Sequence, residues 1–264
     1  MRRALPLSAP LLACFLIGLA SEPPHRISVI AHRGAASEAP ENSLAAIDAA
    51  IRMGCDIVEV DVRLSQDGKP VLIHDATVDR TTNGRGRVDE LSWPRLRELD
   101  ASAGFGRGFK RAGVPSLEEA IGLVRGRARL YLDLKGAKPE AVVQTVQKAG
   151  FSGSVLYRAY RPQDLDRLRA LDPSSQVVVG ADEIGLLPGG LEVVLKRHPE
   201  AVLNLDFRNW NEQLKGVVDR HSGPWFLSVL GRQATAPELR KAVDLHPDGI
   251  LTDSPRLLLE ILKD

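Results

Sequence analysis

The chain has 264 residues, 44% hydrophobic and 26% charged, enough for one well-buried domain and too ordinary a composition for a disordered or fibrous protein. Lys and Arg number 35 against 34 Asp and Glu, so the basic excess of nucleic-acid binders is absent and no nucleic-acid partner is expected. Two cysteines, Cys14 and Cys55, exclude a disulfide scaffold.

The first twenty residues differ in kind from the rest. Arg2 and Arg3 precede an apolar run over 11–20 that ends in small residues before Ser21, Glu22, Pro23 and Pro24, the pattern of a signal peptide. The run is about half the roughly 20 residues a membrane-spanning helix needs. Residues 1–20 are therefore expected to be removed on export to a periplasm or the extracellular space, with no stable membrane insertion afterwards. Cys55, in an apolar stretch, reads as a buried small residue.

Residues 27–264 read as one domain. Strand-like runs fall at 28–31, 57–61, 130–133, 154–157, 176–179, 201–204, 225–228 and 249–252, and helical periodicity at 43–53, 139–149, 162–171, 190–197, 212–220, 237–243 and 255–262. Alternating elements of this kind imply parallel strands with crossover helices, and eight repeats match the size of a (β/α)8 TIM barrel. The competing doubly wound sheet lacks its Gly-x-Gly-x-x-Gly after the first strand. A ninth apolar run, 71–73, follows Asp67-Gly68, a two-residue hairpin signal. The barrel is thus expected to carry an inserted β-hairpin and loop segment after its second strand. With Gln66 paired to Lys69, Asp61 would face His74 and share a face with Glu59.

The polar residues sit where such a barrel holds its chemistry, at strand ends. The first strand ends in His32-Arg33-Gly34, the second carries Glu59 and Asp61, the hairpin returns His74-Asp75, and the third barrel strand ends in Asp133 before Lys135. Three buried carboxylates repel one another unless a cation neutralises them, and an all-oxygen set suits Mg²⁺ or Ca²⁺. Two imidazoles titrating near neutrality can serve as acid and base, while Arg33 and Lys135 suit an anionic group. The combination describes phosphoryl-ester chemistry. The remaining histidines, His25, His198, His221 and His246, read as surface residues, and no Cys/His zinc spacing occurs. Asn83-Gly84-Arg85-Gly86 reads as a turn, Asp253-Ser254-Pro255 as a helix cap, and 125–129 as a solvated helix end. Asp206 and Arg208 suit either substrate contact or surface pairing.

In order along the chain, Ala31-His32-Arg33-Gly34, Pro40-Glu41-Asn42-Ser43, Glu59-Val60-Asp61-Val62, Asp67-Gly68, His74-Asp75, Asp79-Arg80-Thr81-Thr82-Asn83-Gly84 and Val114-Pro115-Ser116-Leu117-Glu118-Glu119 resemble the signature of the glycerophosphodiester phosphodiesterases. The resemblance returns at Gly249-Ile250-Leu251-Thr252-Asp253-Ser254-Pro255. It implies a (β/α)8 barrel that hydrolyses a small-molecule glycerophosphodiester to glycerol 3-phosphate and an alcohol with a divalent cation, Mg²⁺ or Ca²⁺. His32 and His74 would be the acid/base pair, Arg33 and Lys135 would bind the phosphate, Glu59, Asp61 and Asp133 would hold the metal, and Glu38 and Asn42 would support them. Three departures stand out. Asp133 replaces the family's usual Glu, Arg158-Ala159-Tyr160 replaces a Ser-Phe pair, and 225–231 lacks the family's Trp-Thr-Val-Asn. Two alternatives follow from them: a phospholipase D-like hydrolase of lysophospholipids or sphingolipids, and a catalytically impaired barrel that binds phosphodiesters.

Overall fold

The structure, a computed structural model, describes residues 26–105, 109–181 and 188–264; the expected leader and His25 lie outside the described residues. Eight strands form a closed parallel barrel: β1 (Ser28–Ala31), β2 (Ile57–Leu64), β4 (Arg129–Leu134), β5 (Val155–Arg158), β6 (Gln176–Gly180), β7 (Val202–Asp206), β8 (Trp225–Val229) and β9 (Gly249–Thr252). Closure comes from β1, which pairs in parallel with both β2 and β9. The crossover helices are α1 (Leu44–Met53), α3 (Leu117–Val124), α4 (Pro139–Lys148), α5 (Pro162–Leu171), α6 (Pro188–Arg197), α7 (Glu212–Val218), α8 (Ala236–Asp244) and α9 (Pro255–Ile261). The expected (β/α)8 TIM barrel is the observed fold, and no helix among the described residues is long and apolar enough to cross a membrane.

Side chains alternate across each strand, and this alternation divides the core in two. One buried apolar residue from each strand fills the barrel interior: Ile30, Ile57, Tyr131, Leu156, Val178, Val202, Phe226 and Leu251. The residues between them, such as Val58, Val60, Val62, Leu130 and Leu132, face outward into the layer beneath the helices. On β2 the inward set is therefore Ile57, Glu59 and Asp61, an apolar base with two carboxylates above it. The parallel register aligns Asp61 with Asp133 on β4 and Asp133 with Arg158 on β5. Sheet pairing alone thus brings the second and third barrel strands' acids side by side.

The inserted segment follows β2. β3 (Pro70–Leu72) returns antiparallel to it, and α2 (Trp93–Glu98), which the sequence reading lacked, belongs to the loop beyond. Val71, Ile73, Val78, Val88, Leu96, Leu99, Ala101 and Val114 form a separate small core under this loop. The hairpin register differs from the expectation by one residue, with Leu64 opposite Pro70, Arg63 opposite Val71 and Val62 opposite Leu72. The cause is the turn. Ser65 N–H donates to Lys69 O at 3.0 Å, so three residues rather than two form the loop, and Gly68 closes it at φ 79°, a left-handed conformation suited to glycine. Asp61 consequently lies opposite Ile73, whose N–H donates to the Asp61 carbonyl at 3.1 Å, and His74 begins the following loop.

Other corrections are local. α3 was absent from the sequence reading, yet its start carries a capping box: Ser116 Oγ accepts from Glu119 N–H at 3.3 Å and Ser116 N–H donates to Glu119 Oε2 at 2.8 Å. Ser-x-x-Glu ahead of an apolar run is a readable start signal. His198 is buried rather than on the surface, its Nε2 3.1 Å from Asp166 Oδ1 of α5. Arg129 is no helix end; it opens β4 and donates to Gln176 Oε1 of β6 at 2.7 Å. Cys55 is buried as expected, and burial pushes its thiol up to about 12.

Candidate active site

The loop after β1 returns on itself through three left-handed residues, Arg33 (φ 53°), Gly34 (φ 77°) and Asn42 (φ 58°). At Gly34 a Cβ would meet the Ala46 carbonyl carbon of α1 at 2.7 Å, so only glycine permits this loop to pack on the helix. The turn aims two groups at the acids of β2. Arg33 donates its backbone N–H to Glu59 Oε2 at 2.7 Å, and its Nε lies 3.2 Å from Asp61 Oδ2. Asn42 brackets Asp61 completely: its Nδ2 donates to Asp61 Oδ2 at 2.8 Å and its Oδ1 accepts from Asp61 N–H at 2.9 Å. The supporting role expected of Asn42 is this bracket. Glu38, expected beside it, is exposed and paired with Arg256 at 2.8 Å, because the loop turns it toward α9.

Glu59, Asp61 and Asp133 are all buried, and one carboxylate oxygen from each lies within 4.8 Å of the others. Lys135 Nζ lies 2.8 Å from Asp133 Oδ2 and 3.4 Å from Asp61 Oδ1. Burial opposes the charge of Asp61, but Lys135, Arg33 and the Asn42 bond outweigh it and hold that carboxyl below the usual range. Glu59 fares differently. Burial, and then the charge of Asp61, push it up to about 8.

The group is short of positive charge, and Asp133 Oδ1 is buried without a hydrogen-bond partner. A strained carboxylate, an orphaned buried oxygen and an all-oxygen donor set together fit a hard divalent cation, with Glu59, Asp61 and Asp133 as its holders.

Each candidate acid/base histidine carries a carboxylate on Nδ1. His32 Nδ1 is 2.6 Å from Asp253 Oδ1, while its Nε2 points toward Glu59 Oε2 at 4.0 Å. Burial lowers the basicity of His32, but Asp253 and Glu59 more than offset this and leave it raised. Asp253 is held in turn by Gly231 N–H at 2.6 Å. His74 Nδ1 is 2.7 Å from Asp75 Oδ1, and Arg80 Nε donates to Asp75 Oδ2 at 2.6 Å. Arg80 also grips Glu41 through both Nη atoms at 2.8 Å, and Glu41 accepts from Arg33 Nη1 at 2.9 Å. Arg63 ties two loops together, donating to the carbonyls of His74 and Lys135, each at 2.8 Å.

Of the residues expected to carry the chemistry, Glu59 and Asp61 thus lie on β2 and Asp133 on β4, and His32, Arg33, His74 and Lys135 lie in the loops that follow β1, β3 and β4. Asp253 is the clearest omission. Its position after β9 resembles a helix cap, but Ser254 is the N-cap of α9 and the Asp253 carboxylate faces His32. Closure of the barrel between β9 and β1 was the available signal. Asp206, the last residue of β7, pairs with Arg208 just beyond the strand. Asn83 is a bend in the loop after β3, its N–H donating to the Asp100 carbonyl at 3.1 Å and its Oδ1 accepting from Asp100 N–H at 2.9 Å.

The pattern recurs in known proteins. A sequence model of the glycerophosphoryl diester phosphodiesterase family matches residues 32–177. The Bacillus subtilis protein YhdW is 32% identical over 238 residues, 88% of this chain and 96% of that protein. The crystal structure of a glycerophosphodiester phosphodiesterase from Agrobacterium tumefaciens is 29% identical and superposes with a TM-score of 0.78 over 89% of this chain and all of that one. An Oleispira antarctica phosphodiesterase, solved with its product sn-glycerol-3-phosphate, is 26% identical with a TM-score of 0.79 over 90% of this chain and 97% of that one. With its barrel, its ordered motifs and these relatives, the chain belongs to the glycerophosphoryl diester phosphodiesterase family.

Proposed function

We propose that this chain is an exported phosphodiesterase that hydrolyses glycerophosphodiesters to glycerol 3-phosphate and an alcohol, aided by Mg²⁺ or Ca²⁺ held by Glu59, Asp61 and Asp133. One observation carries the reading: two histidines, each tied at Nδ1 to its own carboxylate, stand with Arg33 and Lys135 around a buried carboxylate cluster. Hydrolysis of a phosphodiester has the matching parts, a charged centre, an attacking hydroxyl that gives up a proton and a departing oxygen that takes one. The cation supplies charge that polarises a phosphate oxygen. Arg33 and Lys135 bind the remaining phosphate oxygens and stabilise charge that builds on them.

The protons are handled by the chain itself. Asp253 on Nδ1 fixes the tautomer of His32, and the raised basicity of His32 suits it to hold a proton on Nε2 and deliver it to the departing alcohol oxygen. His74, oriented by Asp75, takes the proton of the attacking hydroxyl. That hydroxyl belongs either to water or to the neighbouring carbon of the glycerol, the second route passing through a cyclic phosphate.

The test is glycerol 3-phosphate release from glycerophosphocholine by purified protein stripped of metal, before and after addition of Mg²⁺ or Ca²⁺. Release restored by the ion is the expected result. No release from folded, ion-loaded protein refutes the reading and moves the assay to lysophospholipids. Export is tested by mass spectrometry of the secreted protein, with Ser21 expected at the N-terminus and an intact Met1 refuting it.

A further inference from the structure

The residues after β5 carry a feature that the proposed chemistry does not use. Tyr160 reaches back across β4 with its hydroxyl between two site residues: its O–H donates to Asp133 Oδ2 at 2.8 Å and its oxygen accepts from Lys135 Nζ at 2.5 Å. The Lys135 ammonium also lies 5.1 Å from the centre of the Tyr160 ring, on whose face the Arg158 guanidinium stands at 5.8 Å. We propose that Tyr160 is a positioning residue for the cation site, holding the Asp133 carboxylate in one orientation and fixing where the Lys135 ammonium sits beside it. The proposal rests on the metal reading given above.

Two physical steps lead there. An Asp carboxylate turns about a single broad torsion once its χ1 is set, so a donor that fixes Oδ2 also fixes Oδ1. Tyr160 occupies Oδ2, and Oδ1 is the buried oxygen left without a partner. The hydroxyl therefore presents the short side chain of Asp133 in one orientation, with one oxygen spare. The second step concerns competition. Lys135 is 3.4 Å from Asp61 Oδ1, near enough to neutralise the cluster in place of a metal ion. The Tyr160 oxygen and ring face give that ammonium, 2.8 Å from Asp133 Oδ2, further contacts that hold it at the edge of Asp133. Asp133 and Tyr160 are in direct contact, and the hydroxyl supplies positional control to the short acid.

Calorimetric titration of metal-free protein with Mg²⁺ or Ca²⁺ alone tests this without reference to turnover. Tyr160→Phe keeps the ring over Lys135 and removes only the hydroxyl. It is expected to weaken ion affinity about 10- to 100-fold, the usual effect of losing a group that orients a ligand, with the melting temperature nearly unchanged. Adding Asp133→Glu to Tyr160→Phe, which lengthens the acid, is expected to restore most of that affinity. A merely structural role for Tyr160 would lower the melting temperature and would not be reversed by Glu. Equal affinity in wild type and Tyr160→Phe overturns the proposal, as does a loss that Asp133→Glu fails to reverse. A flat titration of the wild-type chain is a different failure, since it refutes the metal reading itself.

Discussion

Within the carboxylate cluster Glu59 is the acid whose environment opposes its charge, and its replacement by the isosteric amide gives the sharpest test of the cluster. In the metal-free protein Glu59 is raised from 4.5 to about 8, through burial first and the neighbouring Asp61 second. A folded pKa above the unfolded one means that the native state binds the extra proton. The contribution to stability is then fully present below about pH 4.5 and is lost as pH rises toward about 8. At about 1.4 kcal/mol per unit, with full burial leaving little solvent screening, the loss between about pH 5 and pH 8 comes to about 3 kcal/mol. Glu59→Gln removes the titration and retains an oxygen for the Arg33 N–H, so the variant should be the more stable protein, by an amount that grows over this range.

Urea unfolding in the presence of a chelator, followed by tryptophan fluorescence at several pH values, measures the difference directly. Excess Mg²⁺ or Ca²⁺ should close the gap by stabilising the wild type through binding to its native state, while leaving Glu59→Gln nearly unmoved. Parallel stability curves for the two proteins, offset by a constant from about pH 5 to pH 8, would refute the argument that Asp61 and burial oppose the Glu59 charge.

Four further substitutions probe separate parts of the structure. His32→Ala and His74→Ala should each lower kcat by at least about 100-fold, the usual scale of acid/base assistance, with unfolding transitions close to wild type; near-normal rates in both would remove the acid/base assignment. Asp253→Asn keeps an acceptor but deletes the charge that raises His32. Its His32 imidazole should therefore titrate at lower pH by NMR, and an unmoved midpoint would separate the two residues. Gly34→Ala sets a Cβ 2.7 Å from the Ala46 carbonyl carbon at φ 77°, and should cost more than about 3 kcal/mol in urea unfolding; a cost below about 1 kcal/mol would show that the loop after β1 has room to shift.

The carboxylate cluster was legible in the sequence because its acids are anomalous where they stand. A Glu and an Asp at alternate positions of an otherwise apolar run, as at Glu59 and Asp61, have no ordinary explanation within a barrel interior, and period two alone assigns both to one face. The eight strands were legible for a related reason, since short β-rich runs separated by helical periodicity admit few parallel arrangements. The supporting residues were hidden because nothing about them is anomalous locally. An Asp ahead of Ser-Pro is a common way to begin a helix, and only the pairing of β9 with β1 reveals that Asp253 stands beside His32, 221 residues away in sequence. Tyr160 stands out in the sequence only as part of Arg158-Ala159-Tyr160, and its contact with Asp133 emerges only once the register sets Arg158 opposite Asp133. The hairpin shows the limit at close range, where the conformation of Gly68 shifted every pair by one residue. His74 is drawn into the site by side-chain bonds from Arg63 and Asp75 instead of by its ladder position. A residue that performs chemistry is thus exposed by the cost of placing it in the barrel, whereas a residue that positions it is ordinary in composition and is defined only by closure and register.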